Sequence, residues 1–152
     1  MKPERKYVIL SRRENEDYCE VEYNNALLSA WLKKLPLVTG AQHIFPESLS
    51  SSDVICRDIR SLIIESHYIP LLDLPVDDSV RTIPKQLCLN TIVDTGDSDN
   101  LTLGLLKPAL EYIEKSNHKV CGQIIGILLT RTHEAGEMHS YTEVIFPLEK
   151  LP

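Results

Sequence analysis

The signatures by which the commonest chemistries declare themselves are missing from this sequence. It contains no G-x-G-x-x-G, no P-loop and no G-x-S-x-G, so the familiar dinucleotide, nucleotide and hydrolase motifs are absent and no cofactor is expected. Its four cysteines, Cys19, Cys56, Cys88 and Cys121, are widely spaced with no C-x-x-C pair, which argues against a zinc or redox motif and for reduced, mostly buried thiols. The five histidines offer no metal pair either: His133 and His139 are separated by a turn-like EAGEM and lack i, i+4 spacing. The longest apolar run, Val120–Leu129, is too short to cross a bilayer. Met1 to Lys6 is polar and no signal-like apolar segment follows, so the cytoplasm is the expected compartment. Basic clusters are wanting too. With 22 acids against 16 bases, a net charge of -6, and Arg12-Arg13 and Lys33-Lys34 as the densest basic pairs, the chain is not expected to bind nucleic acid directly.

What is present suits one globular domain: 152 residues, 43% hydrophobic, enough to bury a core. The spacing predicts a strand over Lys6–Leu10, a charged loop over Ser11–Asp17, and an amphipathic helix within Val21–Leu35 whose stripe is Leu27, Leu28, Trp31, Leu32 and Leu35, stopped at Pro36. A short strand Ala41–Phe45, a polar loop Pro46–Asp53 and a strand Ser61–Ile69 follow, and then a linker over about 71–80. A second helix is expected over Leu103–Lys119 on the stripe Leu106, Ala109, Leu110 and Ile113. Pro108 requires either a start near Lys107 or a kink. Val120–Leu129 reads as a buried strand, Thr130–His139 as a turn, and Ser140–Pro147 as the closing strand.

The same order of signals occurs twice. Pro3 before YVIL is echoed by Pro84 before LCLNTIV, an offset of 81. Trp31-Leu32 matches Tyr112-Ile113 at 81, Gly40 matches Gly122 at 82, and IIESHYIP ending at Pro70 matches SYTEVIFP ending at Pro147 at 77. The expectation is therefore an α+β fold of two pseudo-symmetric strand-helix-strand-strand halves, about 5–70 and 84–147, forming antiparallel sheet, with a ligand groove between the halves and their helices.

Glu143 stands out within the closing strand. Alternation places Tyr141, Glu143 and Ile145 on one face and Thr142, Val144 and Phe146 on the other, so the acid shares a face with apolar neighbours. Desolvating it is costly unless something positive meets it: a side chain such as Arg131 or Lys150, or a ligand. At the offset of 77 its counterpart is Ser66, so the acid occurs in one half only.

Taken together, the duplicated order, the W-L or Y-I near each helix end, the glycine before the next strand and the closing YTEVIFPL resemble the GyrI-like family. These effector-binding domains occur alone or attached to transcription regulators of the BmrR and Rob type. The resemblance spans nearly the whole chain and is strongest over Leu105–Leu148. It implies binding of amphipathic, cationic aromatic molecules in a hydrophobic groove, with Glu143 at its floor and Trp31, Tyr112, Tyr141 and Tyr68 as stacking residues. A cation over Trp or Tyr gains about 0.5 to 2 kcal/mol. No helix-turn-helix precedes the repeat, so a free-standing member or a domain excised from a DNA-binding parent is expected. The rival readings are a hydrolase of strained electrophilic natural products, with Glu143 guiding water, and a protein-binding module of the gyrase-inhibitor type.

Overall fold

The computed structural model describes residues 1–14, 17–19, 21–22, 24–49, 55, 57–98 and 100–152. The chain runs β1 (Arg5–Glu14), β2 (Asp17–Cys19), α1 (Asn25–Leu32), β3 (Thr39–Ile44), a 3-10 turn (Pro46–Ser48), β4 (Arg57–Glu65) and a single helical turn α2 (Tyr68–Leu71). It continues with β5 (Val80–Ile83), β6 (Cys88–Asp94), α3 (Leu103–Lys115), β7 (His118–Val120), β8 (Ile124–Glu134) and β9 (Glu137–Lys150). The strands form a sheet in the order β2-β1-β4-β3-β8-β9-β6, with β5 added to β1 and β7 to β9. Every pairing is antiparallel, so the class is α+β.

Alternation along the central strands divides the core by face. On one face, Val8, Leu62 and Ile64 pack with Leu27 and Trp31 of α1, while Ile44, Ile124, Val144 and Phe146 pack with Leu106 and Ile113 of α3. The opposite face carries a third cluster, Tyr7, Ile9, Ala41, Ile59, Ile63, Ile83, Ile125 and Ile145. Neither α1 nor α3 contributes to it. The sheet shields this cluster by curling: β4, β3 and β8 lie between β1 and β9, yet the side chain of Lys2, just ahead of β1, reaches Glu143 of β9. A two-way backbone bridge between Lys2 and Gln86 (3.0 and 3.2 Å) draws the segment before β6 against the start of the chain.

Several local expectations are corrected. The charged stretch after Leu10 is a hairpin rather than a loop, because Arg13 donates to Asp58 Oδ1 (3.0 Å) and to the Ile55 carbonyl (2.7 Å) and so pins β1 to its neighbour; residues 15 and 16 lie outside the described residues. The first helix starts later than expected, where Asn24 accepts from the amides of Ala26 and Leu27 as an N-cap. The helix bearing Pro108 neither begins near Lys107 nor ends at Lys119. Thr102 caps it by accepting from the Leu105 amide, and Pro108 lies six residues into it on the exposed side. The strand expected over Ser61–Ile69 stops at Glu65, since the Ser66 amide turns to the Glu4 carbonyl and Tyr68 begins α2. Ser66 therefore lies off the strand on which an offset of 77 aligned it with Glu143.

The linker is firmer than its composition implies, for Leu74 is buried under α1, Pro75 accepts from Trp31 Nε1 (2.9 Å), and Val80 opens β5. Thr130–His139 is mostly strand; its turn is Ala135-Gly136, both at positive φ (51° and 83°), as a two-residue hairpin requires. Leu128 and Leu129 are exposed, so burial ends within the run. Of the polar loop Pro46–Asp53, residues 50–53 lie outside the described residues, as does Cys56. Cys19 and Cys121 are exposed and Cys88 half-buried, so these thiols are less buried than expected.

Candidate functional site

On the face opposite α1 and α3, a cavity of about 250 Å³ opens between the two parts of the curled sheet. Its apolar walls are Leu37, Ile63, Ile64, Ile127 and Ile145, and its polar groups are Lys2, Arg5, Thr39, Glu65, Tyr68 and Glu143. Strand register explains the convergence: Glu143 stands opposite Ile127 of β8 and Ile92 of β6, while Arg5 stands opposite Glu65 of β4 and Ile83 of β5.

Glu143 is mostly buried and already partnered. Its Oε1 accepts from Lys2 Nζ (2.8 Å) and from Asn90 Nδ2 (2.9 Å). The basic partner is thus Lys2 rather than Arg131 or Lys150, a contact across 141 residues that exists only because the sheet curls. Tyr68 lines the same cavity, with its ring tilted against His67 at a centroid distance of 4.1 Å. The other candidate residues lie elsewhere. Trp31 is fully buried under α1. Tyr112 is 62% exposed on α3, where its neighbour Ile113 fills the core, so Trp31 and Tyr112, paired by the sequence offset of 81, differ in environment. Tyr141 is half-buried and stacks on His139 at 6.2 Å.

Sequence reasoning missed Lys2, Arg5 and Asn90. Arg5 carried the same signal as Glu143, since it alternates with Tyr7 and Ile9 on an apolar strand face. It is 4% exposed, and among the described residues none of its three guanidinium nitrogens has a hydrogen-bond partner. Burial pulls its pKa below the ordinary value, opposed by the nearby Cys88, Glu143 and Glu65.

A second cavity of similar size lies on the helix-bearing face, around Leu10, Gln42, Arg60, Gly126 and Thr142. This is where a groove between the helices was expected, and Glu143 is not part of it: the acid projects from the other side of β9, away from the cluster that α3 covers. Two of its polar lining residues, Gln42 and Arg60, turn to Asp58 behind them. Asp58 accepts from Gln42 (2.6 Å) and Arg13 (3.0 Å), with Arg60 at 3.7 Å. In the core, His43 Nε2 lies 2.6 Å from Ser61 Oγ and its Nδ1 3.0 Å from Gln123 Oε1. Burial lowers the His43 pKa to about 4, so the ring is neutral at pH 7. Both members of this hydroxyl-imidazole pair are buried. Among the described residues no group of three His, Cys, Asp or Glu side chains could hold a metal ion, and no helix is long and apolar enough to cross a membrane.

No protein-family model matches the sequence, and no curated protein matches it either. Solved structures do. The C-terminal domain of EcmrR superposes with a TM-score of 0.60 at 13% identity, covering 99% of this chain and 94% of that one. A hydrolase encoded by lin2189 from Listeria innocua superposes at 0.55 with 10% identity, covering 97% and 88%. At these identities the likeness is one of fold, and that fold fits the GyrI-like domain whose motifs the sequence resembles.

Proposed function

We propose that the protein binds small amphipathic organic molecules, cationic aromatic ones among them, in the cavity at Glu143, as a GyrI-like effector-binding domain does. The observation that carries this reading is a carboxylate set among Ile63, Ile127 and Ile145 whose charged partner is the side chain of Lys2. A flexible lysine is a replaceable counter-ion: a ligand amidinium or ammonium takes its place on Glu143 while the ligand body covers the isoleucines and Tyr68. Flat apolar walls with few polar groups tolerate varied ligands.

The strand order supports a chain built of two halves, about 5–70 and 84–147, because β1-β4-β3 in the first is mirrored by β8-β9-β6 in the second. In that reading the cavity lies between halves, drawing Arg5 and Tyr68 from the first, Ile127, Glu143 and Ile145 from the second, and Lys2 from just ahead of the first.

The test is a nuclear magnetic resonance titration with benzamidine and with benzamide, its neutral isostere. Benzamidine is expected to shift signals of Ile63, Ile127, Ile145 and Tyr68, and benzamide to do so at higher concentration. Shifts confined to Gln42, Gly126 and Thr142 would move the site to the helix-bearing face and overturn the assignment.

A further inference from the structure

The cavity holds two cations, Lys2 and Arg5, and two carboxylates, Glu65 and Glu143, but only Lys2 is hydrogen-bonded to one of them. Lys2 is taken by Glu143, and Glu65 Oε2 lies 3.5 Å from His67 Nδ1. Arg5 makes no such bond: it lines the cavity, is 96% buried, and keeps Nε, Nη1 and Nη2 without a hydrogen-bond partner among the described residues. A buried guanidinium with five unused N-H donors is costly, because its desolvation is not offset by hydrogen bonds. Its fork matches a planar carboxylate, which accepts two parallel N-H bonds. The nitrogens have almost no accessible surface, so a carboxylate reaches them only where the side chains of the cavity wall give way.

We infer that Arg5 is an anion-holding residue of the cavity, and that the natural ligand is zwitterionic: an amphipathic molecule whose carboxylate pairs with Arg5 while its cationic group replaces Lys2 on Glu143. The inference rests on the cavity being the ligand site, and it adds the part of the ligand that Glu143 does not recognise. Glu65 and Glu143 lie near enough to act on the Arg5 charge, yet neither is hydrogen-bonded to it.

Calorimetric titration with benzoate and benzamide, which share one shape, tests it in the full chain. Wild type is expected to bind benzoate at least tenfold more tightly than benzamide. Arg5→Met, which keeps the length of the side chain and removes the charge, is expected to abolish that preference, to raise affinity for benzamidine, and to raise the melting temperature of the unliganded protein. Arg5→Lys retains the charge without the fork, so part of the benzoate preference should survive; it carries the test should Arg5→Met not fold. Equal binding of benzoate and benzamide by wild type, alongside tighter binding of benzamidine, would overturn the role of Arg5 and leave the cavity standing. Failure of all three compounds to bind would overturn both readings. An unchanged benzoate preference in Arg5→Met would likewise remove Arg5 from the site.

Discussion

Lys2 guards the carboxylate that the proposed function uses, so removing it is an informative perturbation. In Lys2→Met the stem of the side chain is kept and the ammonium lost. The side chains of Lys2 and Glu143 are 27% and 23% exposed, so the pair is neither a solvated surface contact nor a buried one. Exposed pairs contribute about 0.2 to 1 kcal/mol. Hydrogen bonds involving a charged group contribute about 1.5 to 3. A pair at 2.8 Å between these limits costs an incoming cation about 1 to 2 kcal/mol to displace. Deleting the lysine returns that amount, so Lys2→Met should bind benzamidine about five- to thirtyfold more tightly, at 1.4 kcal/mol per tenfold. Benzamide, which does not compete for Glu143, should change little. Calorimetry at low ionic strength, where screening is weakest, is the assay. Unchanged or weakened benzamidine binding would show that a ligand cation does not take the place of Lys2.

Further outcomes follow from the polar groups and the core. The His43 imidazole titrates near 6.5 unfolded and at about 4 folded, so the unfolded chain takes up the proton first: stability is intact above about pH 6.5 and is lost as pH falls toward 4. His43 should account for about 2 kcal/mol of lost stability between pH 7 and 5, read as a shift in urea midpoint that is absent in His43→Leu. The pKa of His139 is raised mainly by its hydrogen bond to Asp94, so its contribution is present below the unfolded pKa and lost as pH rises through the folded one. Asp94→Asn should lower the His139 midpoint in a proton resonance titration. Trp31, fully buried and bonded to the Pro75 carbonyl, should cost about 3 to 5 kcal/mol when replaced by alanine, seen in chemical denaturation.

The layout of the fold was legible because periodicity is local. The apolar stripe through Leu27 and Trp31 and the alternation of Glu143 with Val144 each need only a few neighbouring residues to be read. Ends of elements were less legible, since they depend on contacts distant in sequence: Arg13 to Asp58 extends β1, and Ser66 to Glu4 ends β4. The candidate site divides the same way. Glu143 could be singled out from its own strand. That Lys2 meets it, and that Trp31 and Tyr112 lie outside the cavity, depends on the curl of the sheet, for which periodicity holds no record. Arg5 was available from its alternation with Tyr7 and Ile9, but a basic residue beside Lys6 reads as solvated until its burial is known.

The central claim is that Glu143 receives the cationic part of a small ligand, and Glu143→Gln addresses it by keeping shape while removing charge. Calorimetric titration of wild type and variant with benzamidine and benzamide measures the effect. Glu143→Gln should weaken benzamidine by about 1 kcal/mol, which is about 1.5 to 3 kcal/mol for a hydrogen bond involving a charged group less the cost of displacing Lys2 in wild type, with benzamide nearly unchanged and the fold intact. Equal affinity of both proteins for benzamidine would contradict the account and leave Glu143 as no more than the partner of Lys2.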